Sequence, residues 1–194
     1  MIKYIKENLD SISKLFINHI GMMIFALVVL ITSKLLSTKI GNDAVFYIAG
    51  IITVLMYFSL IYTAMWERGA SDKIKIDGGR LSPNLLNGLW LYLLGNALFL
   101  VTSVLSLLFS FFVTEDASFA NNAYAVFRFI SHYYNAMYMP ITNIAGLGAV
   151  AKSFIYVGTI LPGAVVSLVS YILGVKGFKC LFPEPKRDKN KKTR

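Results

Sequence analysis

Four long apolar segments constrain this chain more than any other feature of its sequence. They cover residues 18–36, 44–66, 89–113 and 153–174, and Lys34 is the one charged residue inside them. A bilayer core about 30 Å thick requires roughly 20 consecutive apolar residues in a helix. Each segment reaches about this length, so the sequence predicts an all-α, polytopic transmembrane helical bundle with four spans.

The composition agrees with a membrane protein. The chain is 56% apolar and 15% charged, whereas soluble domains are usually about a quarter charged. The first apolar segment ends in SKLLSTK, which contains no small-x-small cleavage site, so we expect a retained span rather than a cleaved signal peptide. Cys180 is the single cysteine, which excludes a disulfide framework or a cysteine zinc site within one chain.

The basic residues are unevenly distributed along the chain. Three precede the first span, four lie in residues 66–84 and eight follow the fourth span, so fifteen lie on one side and four on the other. Lys and Arg accumulate on the cytoplasmic side of membrane proteins. We therefore expect a multi-pass protein with both termini in the cytoplasm. Abundant Lys, Ile and Asn suggest an AT-rich genome, so we expect a bacterial plasma membrane, in a Gram-positive host.

The segment between spans three and four predicts an amphipathic helix at about residues 123–138. Four polar residues share one helical face by their spacing: Arg128, Ser131, His132 and Asn135. Such a helix lies in the membrane interface, with a re-entrant segment as the alternative, and Asn121 or Asn122 is the expected N-cap. A fifth span would place the basic tail outside, against the charge bias. Arg128 and His132 are candidates for contact with an anion or a lipid on the outer face, and a solvated polar face is the alternative.

Residues 66–84 form a polar island between two apolar segments. Gly69, Gly78 and Gly79 are not spaced as in a Walker loop or a dinucleotide-binding loop. We expect a cytoplasmic connection between antiparallel helices, in which Gly78 and Gly79 make a turn. Ser82 is the expected N-cap of the next helix, with Pro83 at its first position. A docking surface for a cytoplasmic partner is compatible with the same connection.

The same island carries a resemblance to a known group of proteins. The strings WERGASDK and GGRLSPNLLNGL, within residues 66–95, resemble a recurring element of small uncharacterised four-helix membrane proteins of Gram-positive bacteria. The resemblance implies a topology and a host, and it implies no activity.

Span three carries small and polar residues at regular spacing. The small-residue face consists of Gly88, Gly95, Thr102, Ser106 and Ser110. Small residues at such spacing let the backbones of transmembrane helices approach closely. Asn96 is the deepest strongly polar side chain of the spans, and we predict that it hydrogen-bonds across helices, with a place on a solute path as the alternative.

Span four carries similar faces and an internal proline. The small-residue pairs are Gly163 with Ser167 and Ser170 with Gly174, and they fit either packing inside the bundle or association with another molecule. Pro162 removes one backbone hydrogen bond, so we expect a kink in this helix.

The sequence disfavours an enzyme. His19 is expected at the cytoplasmic mouth of span one with a solvated ring, and His132 on the opposite side of the membrane, so they do not form a metal site. No Asp or Glu lies inside a predicted span, although proton-coupled carriers usually keep an ionisable group there. The acidic residues are expected in loops, and we expect no cofactor.

Residues 1–178 are interpreted as one membrane domain, and residues 179–194 as a disordered basic tail. The tail can attract anionic lipid, and we expect no nucleic acid as a partner. Cys180 is expected to be a bystander thiol, with acylation as the alternative.

Three functions fit the sequence. The leading hypothesis is a non-catalytic integral membrane subunit that associates with another membrane protein or forms a homo-oligomer, because small-residue faces are present and buried charge is not expected. The alternative is a component of a transporter for a neutral or apolar solute, with Asn96, Thr102, Ser106 and Pro162 near the path. A membrane enzyme has the least support.

Overall fold

The computed structural model describes residues 2–114, 118–142 and 147–178, and these residues fold entirely into helices and connections. The helices are α1 (Ile2–Glu7), α2 (Leu9–Ile40), α3 (Ala44–Asp77), α4 (Asn87–Gly95), α5 (Ala97–Ser110), α6 (Ser118–Tyr134), α7 (Met139–Thr142), α8 (Ala149–Gly158) and α9 (Ile160–Lys176), with a 3₁₀ turn at Ala136–Tyr138. No strand occurs in these ranges, which confirms the all-α class. The predicted basic tail and Cys180 lie outside the described residues.

The longest helices have the dimensions and composition of membrane spans. Helices α2 and α3 and the continuous run from α8 to α9 are long and apolar enough to cross a membrane, and α4 with α5 adds a fourth if the bent pair is one span. Large apolar side chains such as Ile24, Val28 and Leu55 are more than half exposed on the outside of the bundle. An apolar solvent explains this exposure, and the chain is a multi-pass helical membrane protein.

A tight connection joins α2 to α3. Helix α2 ends at Gly41, whose φ of 70° lies in the left-handed region and whose N–H bonds the Ser37 carbonyl. Glycine is favoured there because it has no Cβ to clash with the following carbonyl. Asp43 then accepts hydrogen bonds from Lys34 at 2.8 Å and from the Ser37 hydroxyl at 2.7 Å. These hydrogen bonds hold the two helices together at this end as an antiparallel pair.

Helix α3 continues well beyond the predicted end of span two. The sequence from Glu67 to Asp77 is helical, so the expectation that the whole island is a connection was wrong. Five of its eleven residues are good helix formers, and no proline interrupts it. The helix ends at Gly78, and Gly79 has a φ of 68°, so the predicted glycine turn is present.

The predicted start of the following helix was also wrong. Helix α4 begins at Asn87 rather than at Pro83. The Asn84 side-chain oxygen accepts a hydrogen bond of 3.1 Å from the Leu86 N–H, and the Asn84 carbonyl accepts the Asn87 N–H. This turn at Asn84 competes with the cap expected at Ser82 and delays the helix.

The third predicted span is broken in two. Helices α4 and α5 meet at Asn96 with a bend of 68°. The Asn96 side-chain N–H and its backbone N–H both bond the Tyr92 carbonyl at 2.9 Å. A side chain that bonds the carbonyl one turn back competes with the helical ladder, which gives the bend a local cause.

The run from α8 to α9 is interrupted at Thr159. Pro162 has no N–H to bond the Gly158 carbonyl, so the end of α8 at Gly158 follows from the proline. The Thr159 hydroxyl bonds the Tyr156 carbonyl at 2.7 Å instead. The distortion expected at Pro162 is present as this short interruption.

Helix α6 runs back along α5 toward the middle of the bundle. Phe127 stacks on Phe109 at 5.7 Å between ring centroids, and Tyr134 packs on Phe99 at 4.5 Å. The helix begins at Ser118, before the N-cap expected at Asn121 or Asn122, and Asn121 donates instead to a carbonyl outside the helix.

The predicted polar face of α6 is buried only in part, because Arg128 is exposed and His132 is half-buried. Ser131 is fully buried and Asn135 just beyond the helix is 4% exposed, whereas Val126 and Phe129 on the other face are 55% and 62% exposed. A helix lying on the membrane surface turns its polar face to water, whereas a helix surrounded by lipid turns that face inward. Burial therefore differs along this face, and the interfacial and re-entrant arrangements both stay predictions.

Candidate functional site

A carboxylate that the sequence placed in a loop lies at the centre of the strongest polar cluster. Asp72 in α3 is fully buried. Its Oδ2 accepts hydrogen bonds from Tyr171 at 2.9 Å, from Arg68 at 3.2 Å and from Asn87 at 3.3 Å. These donors belong to α9, α3 and α4, so one oxygen atom joins three helices.

The N-terminal helices complete the cluster. Arg68 donates a second hydrogen bond of 2.8 Å to the Asn8 side-chain oxygen, at the junction of α1 and α2. Tyr4 in α1 donates to the Asn87 side-chain oxygen. Burial raises the pKa of the Tyr4 hydroxyl above its ordinary value, and the charge of Arg68 opposes this shift. The cluster therefore fixes α1 and α2 to the other helices at this end of the bundle.

We call this end the inner end, after the predicted orientation, and it contains an open cavity of about 490 Å³. The volume is typical of small-ligand sites. Charged and polar side chains supply most of the lining, which comes from Tyr4, Glu7, Asn8, Arg68, Asp72, Lys75, Arg80, Leu81, Ser82, Asn84, Asn87 and Tyr171. We name it the inner cavity.

Cations outnumber acids around the inner cavity. Its lining has three of the former and two of the latter. The Lys75 ammonium lies 3.6 Å from Asp72 Oδ1, an atom that accepts no hydrogen bond from a described residue. Arg80 makes no ion pair with any residue that the structure describes. An anionic group is the natural complement to this excess of positive charge.

The connection from α3 to α4 borders the inner cavity and is unusually apolar. Leu81, Leu85 and Leu86 are 40%, 46% and 53% exposed, and Trp90 at the start of α4 is 52% exposed. Such exposure is costly in water but is expected at a membrane interface, where tryptophan is enriched. The rim of the cavity therefore combines exposed cations with exposed apolar side chains.

The small-residue face predicted for span three is used inside the chain. A Cβ at Gly88 would overlap Tyr171 of α9, and a Cβ at Gly95 would overlap Leu15 of α2. The bend at Asn96 divides this face, because its residues before the bend lie on α4 and those after it lie on α5. Close packing at these glycines joins α4 to its neighbours.

The hydroxyl residues of the same face make short-range bonds. Thr102 bonds the Leu98 and Phe99 carbonyls of its own helix, and Ser110 bonds the Leu107 carbonyl. Ser106 and Ser153 meet at 3.2 Å between α5 and α8. The Ser153 hydroxyl also bonds the Ser106 carbonyl at 3.4 Å, so Ser106 links α5 to α8 through both its side chain and its backbone.

The small residues of span four also face other helices of the same chain. The Ser167 hydroxyl bonds the Gly88 carbonyl at 2.7 Å, and a Cβ at Gly163 would overlap the Tyr92 hydroxyl. A Cβ at Gly174 would overlap the Trp66 carbonyl oxygen. The Ser170 hydroxyl bonds the Val166 carbonyl of its own helix. These faces are therefore used for packing within one bundle.

Asn96 does not make the hydrogen bond across helices that its depth suggested. Its side-chain N–H donates to the Tyr92 carbonyl one helical turn back, and its Oδ1 accepts no hydrogen bond from a described residue. Pro162 is exposed on the outside of α9. The predicted solute path through Asn96, Thr102, Ser106 and Pro162 does not line the inner cavity or the two cavities described next.

Arg128 and His132 share a second cavity of about 340 Å³, toward the opposite end of the bundle. The His132 Nδ1 lies 3.2 Å from the Tyr156 hydroxyl of α8. The remaining lining is half aromatic and comes from Ala125, Phe129, Tyr133 and Thr142. We name it the outer cavity; a third, almost wholly apolar cavity of about 250 Å³ lies between α3 and residues 137–141.

His19 is a buried residue, so the expectation of a solvated ring was wrong. It is 5% exposed, its Nδ1 lies 2.8 Å from the Tyr57 hydroxyl and its Nε2 lies 2.9 Å from the Tyr134 carbonyl. A carbonyl only accepts, so Nε2 carries the proton and Nδ1 accepts from Tyr57. Helix α2 begins at Leu9, well before the predicted span, which places His19 inside the bundle.

Asp72 and its partners were missed because the island was read as a connection. One signal was available: Arg68 and Asp72 stand four residues apart, the spacing of an ion pair on a helix. Asn8, Asn87 and Tyr171 carried no comparable signal, because their partners are distant in the sequence. No three His, Cys, Asp or Glu side chains gather as metal ligands within residues 2–114, 118–142 and 147–178.

Comparisons with known proteins identify no relative. No protein-family model matches the chain. No curated protein matches it, and no solved structure matches it. The resemblance of residues 66–95 to small membrane proteins of Gram-positive bacteria stays a prediction, and the function is argued from the geometry of the inner cavity.

Proposed function

We propose that the protein is a non-catalytic integral membrane subunit that binds, in the inner cavity, a charged group of another molecule of the membrane. The observation that carries this proposal is the preorganised charge of the cavity. Asp72 is fully buried and fixes Arg68, while Lys75 and Arg80 stay at the exposed rim. A site whose charged groups are held before binding loses less free energy on ordering them.

A binding role fits the buried polar groups better than catalysis does. Both ring nitrogens of His19 are engaged by Tyr57 and Tyr134. Asp72 Oδ2 accepts three hydrogen bonds, and Asp72 Oδ1 faces the Lys75 ammonium at 3.6 Å. Such groups hold helices together, whereas a general base needs a free position facing the substrate. We propose that the subunit lies in a bacterial plasma membrane with both termini in the cytoplasm, as the basic residues favour.

The partner can be a second copy, another membrane protein or a lipid. The glycine faces lend little support to an oligomer, since Gly88, Gly163 and Gly174 pack within the chain. We therefore propose that association occurs at the inner cavity rather than at the glycine faces. Its cationic rim favours a partner that presents a carboxylate or a phosphate.

Mass determination of the full chain in a mild detergent tests this proposal. We expect the mass of the wild-type particle to exceed that of one chain with its bound detergent. We expect the Lys75→Glu, Arg80→Glu variant to lose this additional mass. Lys6→Glu is the matched control, because Lys6 is exposed on α1 and does not line the cavity. A bare wild-type chain, or equal losses in the variant and the control, would contradict the proposal.

A transport component is the second candidate, favoured by the outer cavity. Arg128 and His132 line it beside Tyr156 in a region where the helices expose apolar side chains. Ionisable residues at membrane depth commonly mark solute paths. Arg128 favours an anionic solute over the neutral or apolar one expected from the sequence. Uptake by vesicles that Arg128→Gln abolishes, while Lys152→Gln preserves it, would support this candidate.

A further inference from the structure

We propose that the inner cavity binds the phosphate group of an anionic phospholipid from the adjacent leaflet. This inference rests on the proposed function, since it names the charged group that the cavity receives. Four features carry it: the compensation of Asp72, the unpaired charge of Arg80, the polar rim and the apolar connection beside them.

Compensation of Asp72 removes the main obstacle to an anion. Its Oδ2 accepts hydrogen bonds from Arg68, Tyr171 and Asn87, and the Lys75 ammonium faces its Oδ1 at 3.6 Å. Arg68 is in turn held by Asn8 at 2.8 Å. The carboxylate thus acts as a positioning group, which fixes the Arg68 guanidinium while other N–H donors of that group stay available.

Arg80 supplies a charge that no described acid balances, and Lys75 adds an ammonium that it shares with Asp72. Arg80 makes no ion pair within the described ranges, and the Lys75 side chain is 45% exposed. Glu7, the second acid of the lining, lies 4.0 Å from the Lys3 ammonium. Guanidinium and ammonium groups at one rim are the usual ligands of phosphate oxygens.

The rim also offers neutral hydrogen-bond donors. Ser82 and Asn84 are exposed and line the cavity between Arg80 and Asn87. A hydroxyl and a side-chain amide both donate to phosphate oxygens. A phosphate group at this rim would therefore meet neutral donors as well as cations.

The apolar connection indicates a lipid source for the phosphate. Leu81 lines the cavity, and Leu85 and Leu86 follow in the same connection with about half of their surface exposed. Trp90 is exposed just beyond them. A soluble phosphate ester needs no such surroundings, whereas a phospholipid places its phosphate beside apolar chains at the membrane interface.

Native mass spectrometry of the full-length protein is the test. The delipidated chain is titrated with phosphatidylglycerol, with phosphatidylcholine of the same acyl chains, and separately with inorganic phosphate. The variants are Lys75→Gln and Arg80→Gln, with Lys6→Gln as the control on the same end of the bundle. Thermal stability in detergent checks that each variant folds.

We expect one phosphatidylglycerol to bind more tightly than phosphatidylcholine. Loss of one charge-assisted hydrogen bond should weaken this binding about tenfold in each cavity variant, and Lys6→Gln should leave it nearly unchanged. Equal binding of the two lipids, or equal effects of the cavity variants and the control, would overturn the lipid proposal.

The other outcomes separate this inference from the function on which it rests. Binding of inorganic phosphate alone, sensitive to Arg80→Gln, would overturn the lipid source and leave a charged-group site in place. Loss of a partner protein from the Lys75→Glu, Arg80→Glu variant would likewise overturn the lipid source and leave a charged-group site in place, if lipid binding is unchanged. If no ligand or partner responds to either variant, both proposals fail together.

Discussion

The Tyr171 hydroxyl donates a hydrogen bond of 2.9 Å to Asp72, a residue 99 positions earlier in the chain. This bond joins α9 to α3 beside the contact of Gly69 with Gly174, where a Cβ on either glycine would overlap the backbone of the other helix. A buried carboxylate is stable only when its oxygens are paired. The packing of small residues and the pairing of the acid therefore depend on each other.

Removal of the Asp72 charge should destabilise the inner end. We expect Asp72→Asn to lower the free energy of unfolding by about 3 kcal/mol, because Arg68, whose side chain is only 20% exposed, loses its charged partner. Denaturant titration in detergent micelles measures the effect. Asp77→Asn is the control, since Asp77 is exposed at the end of the same helix, and an equal loss in both variants would contradict the importance of the cluster.

The close approach of α3 and α9 should not tolerate a methyl group. Gly174→Ala places a Cβ against the Trp66 carbonyl oxygen, so we expect a loss of about 1–3 kcal/mol from overpacking. Gly21→Ala is the matched control, because no atom lies near its added Cβ and alanine favours a helix. Similar stabilities of the two variants in micelles would show that α9 can shift.

The hydrogen bond between Tyr57 and His19 should contribute to the core. Tyr57→Phe leaves the His19 Nδ1 without its donor and removes the contact with the Tyr92 hydroxyl at 3.3 Å. Bonds of this kind between membrane helices contribute about 1 kcal/mol. Thermal unfolding of Tyr57→Phe and of the exposed control Tyr47→Phe measures the difference, and identical midpoints would argue against the bond.

Acid should weaken the connection between α2 and α3. The hydrogen bond from Lys34, followed by that from Ser37, lowers the pKa of Asp43 below its ordinary value. A lowered pKa stabilises the fold above the unfolded-state value, near pH 4, and this contribution is lost as the pH falls through the folded-state pKa. A carboxyl titration by NMR should show this shift in the wild type and a more ordinary pKa in Lys34→Gln; equal values would contradict it.

A re-entrant α6 and an interfacial α6 would give different labelling patterns, and we test the re-entrant alternative. In a Cys180→Ser background, Phe119→Cys should react with an impermeant thiol reagent added to intact cells, and Phe129→Cys should resist it. Phe129 is 62% exposed to the surroundings of the bundle, so resistance would indicate lipid rather than burial in protein. Equal reactivity at both sites would favour a helix on the surface, and a reactive Lys3→Cys would reverse the proposed orientation.

Local sequence predicted the helical class but misplaced several ends. The polar stretch from Glu67 to Asp77 resembled a connection because its composition is hydrophilic, yet it is helical and buries Asp72. The bend at Asn96 depends on a side chain bonding its own backbone. Composition cannot distinguish a solvated polar residue from one whose partner is supplied by a distant helix.

The sequence by itself determined that this chain is a multi-pass bundle of apolar helices, because transfer into hydrocarbon depends on the composition of each contiguous segment. Only the tertiary structure decided which polar residues meet. Asp72 gains Arg68 from its own helix, but it gains Asn87 and Tyr171 through the packing of α4 and α9 on α3. Hydrogen-bond pairing is non-local and directional, so the inner cavity exists only once the helices have assembled.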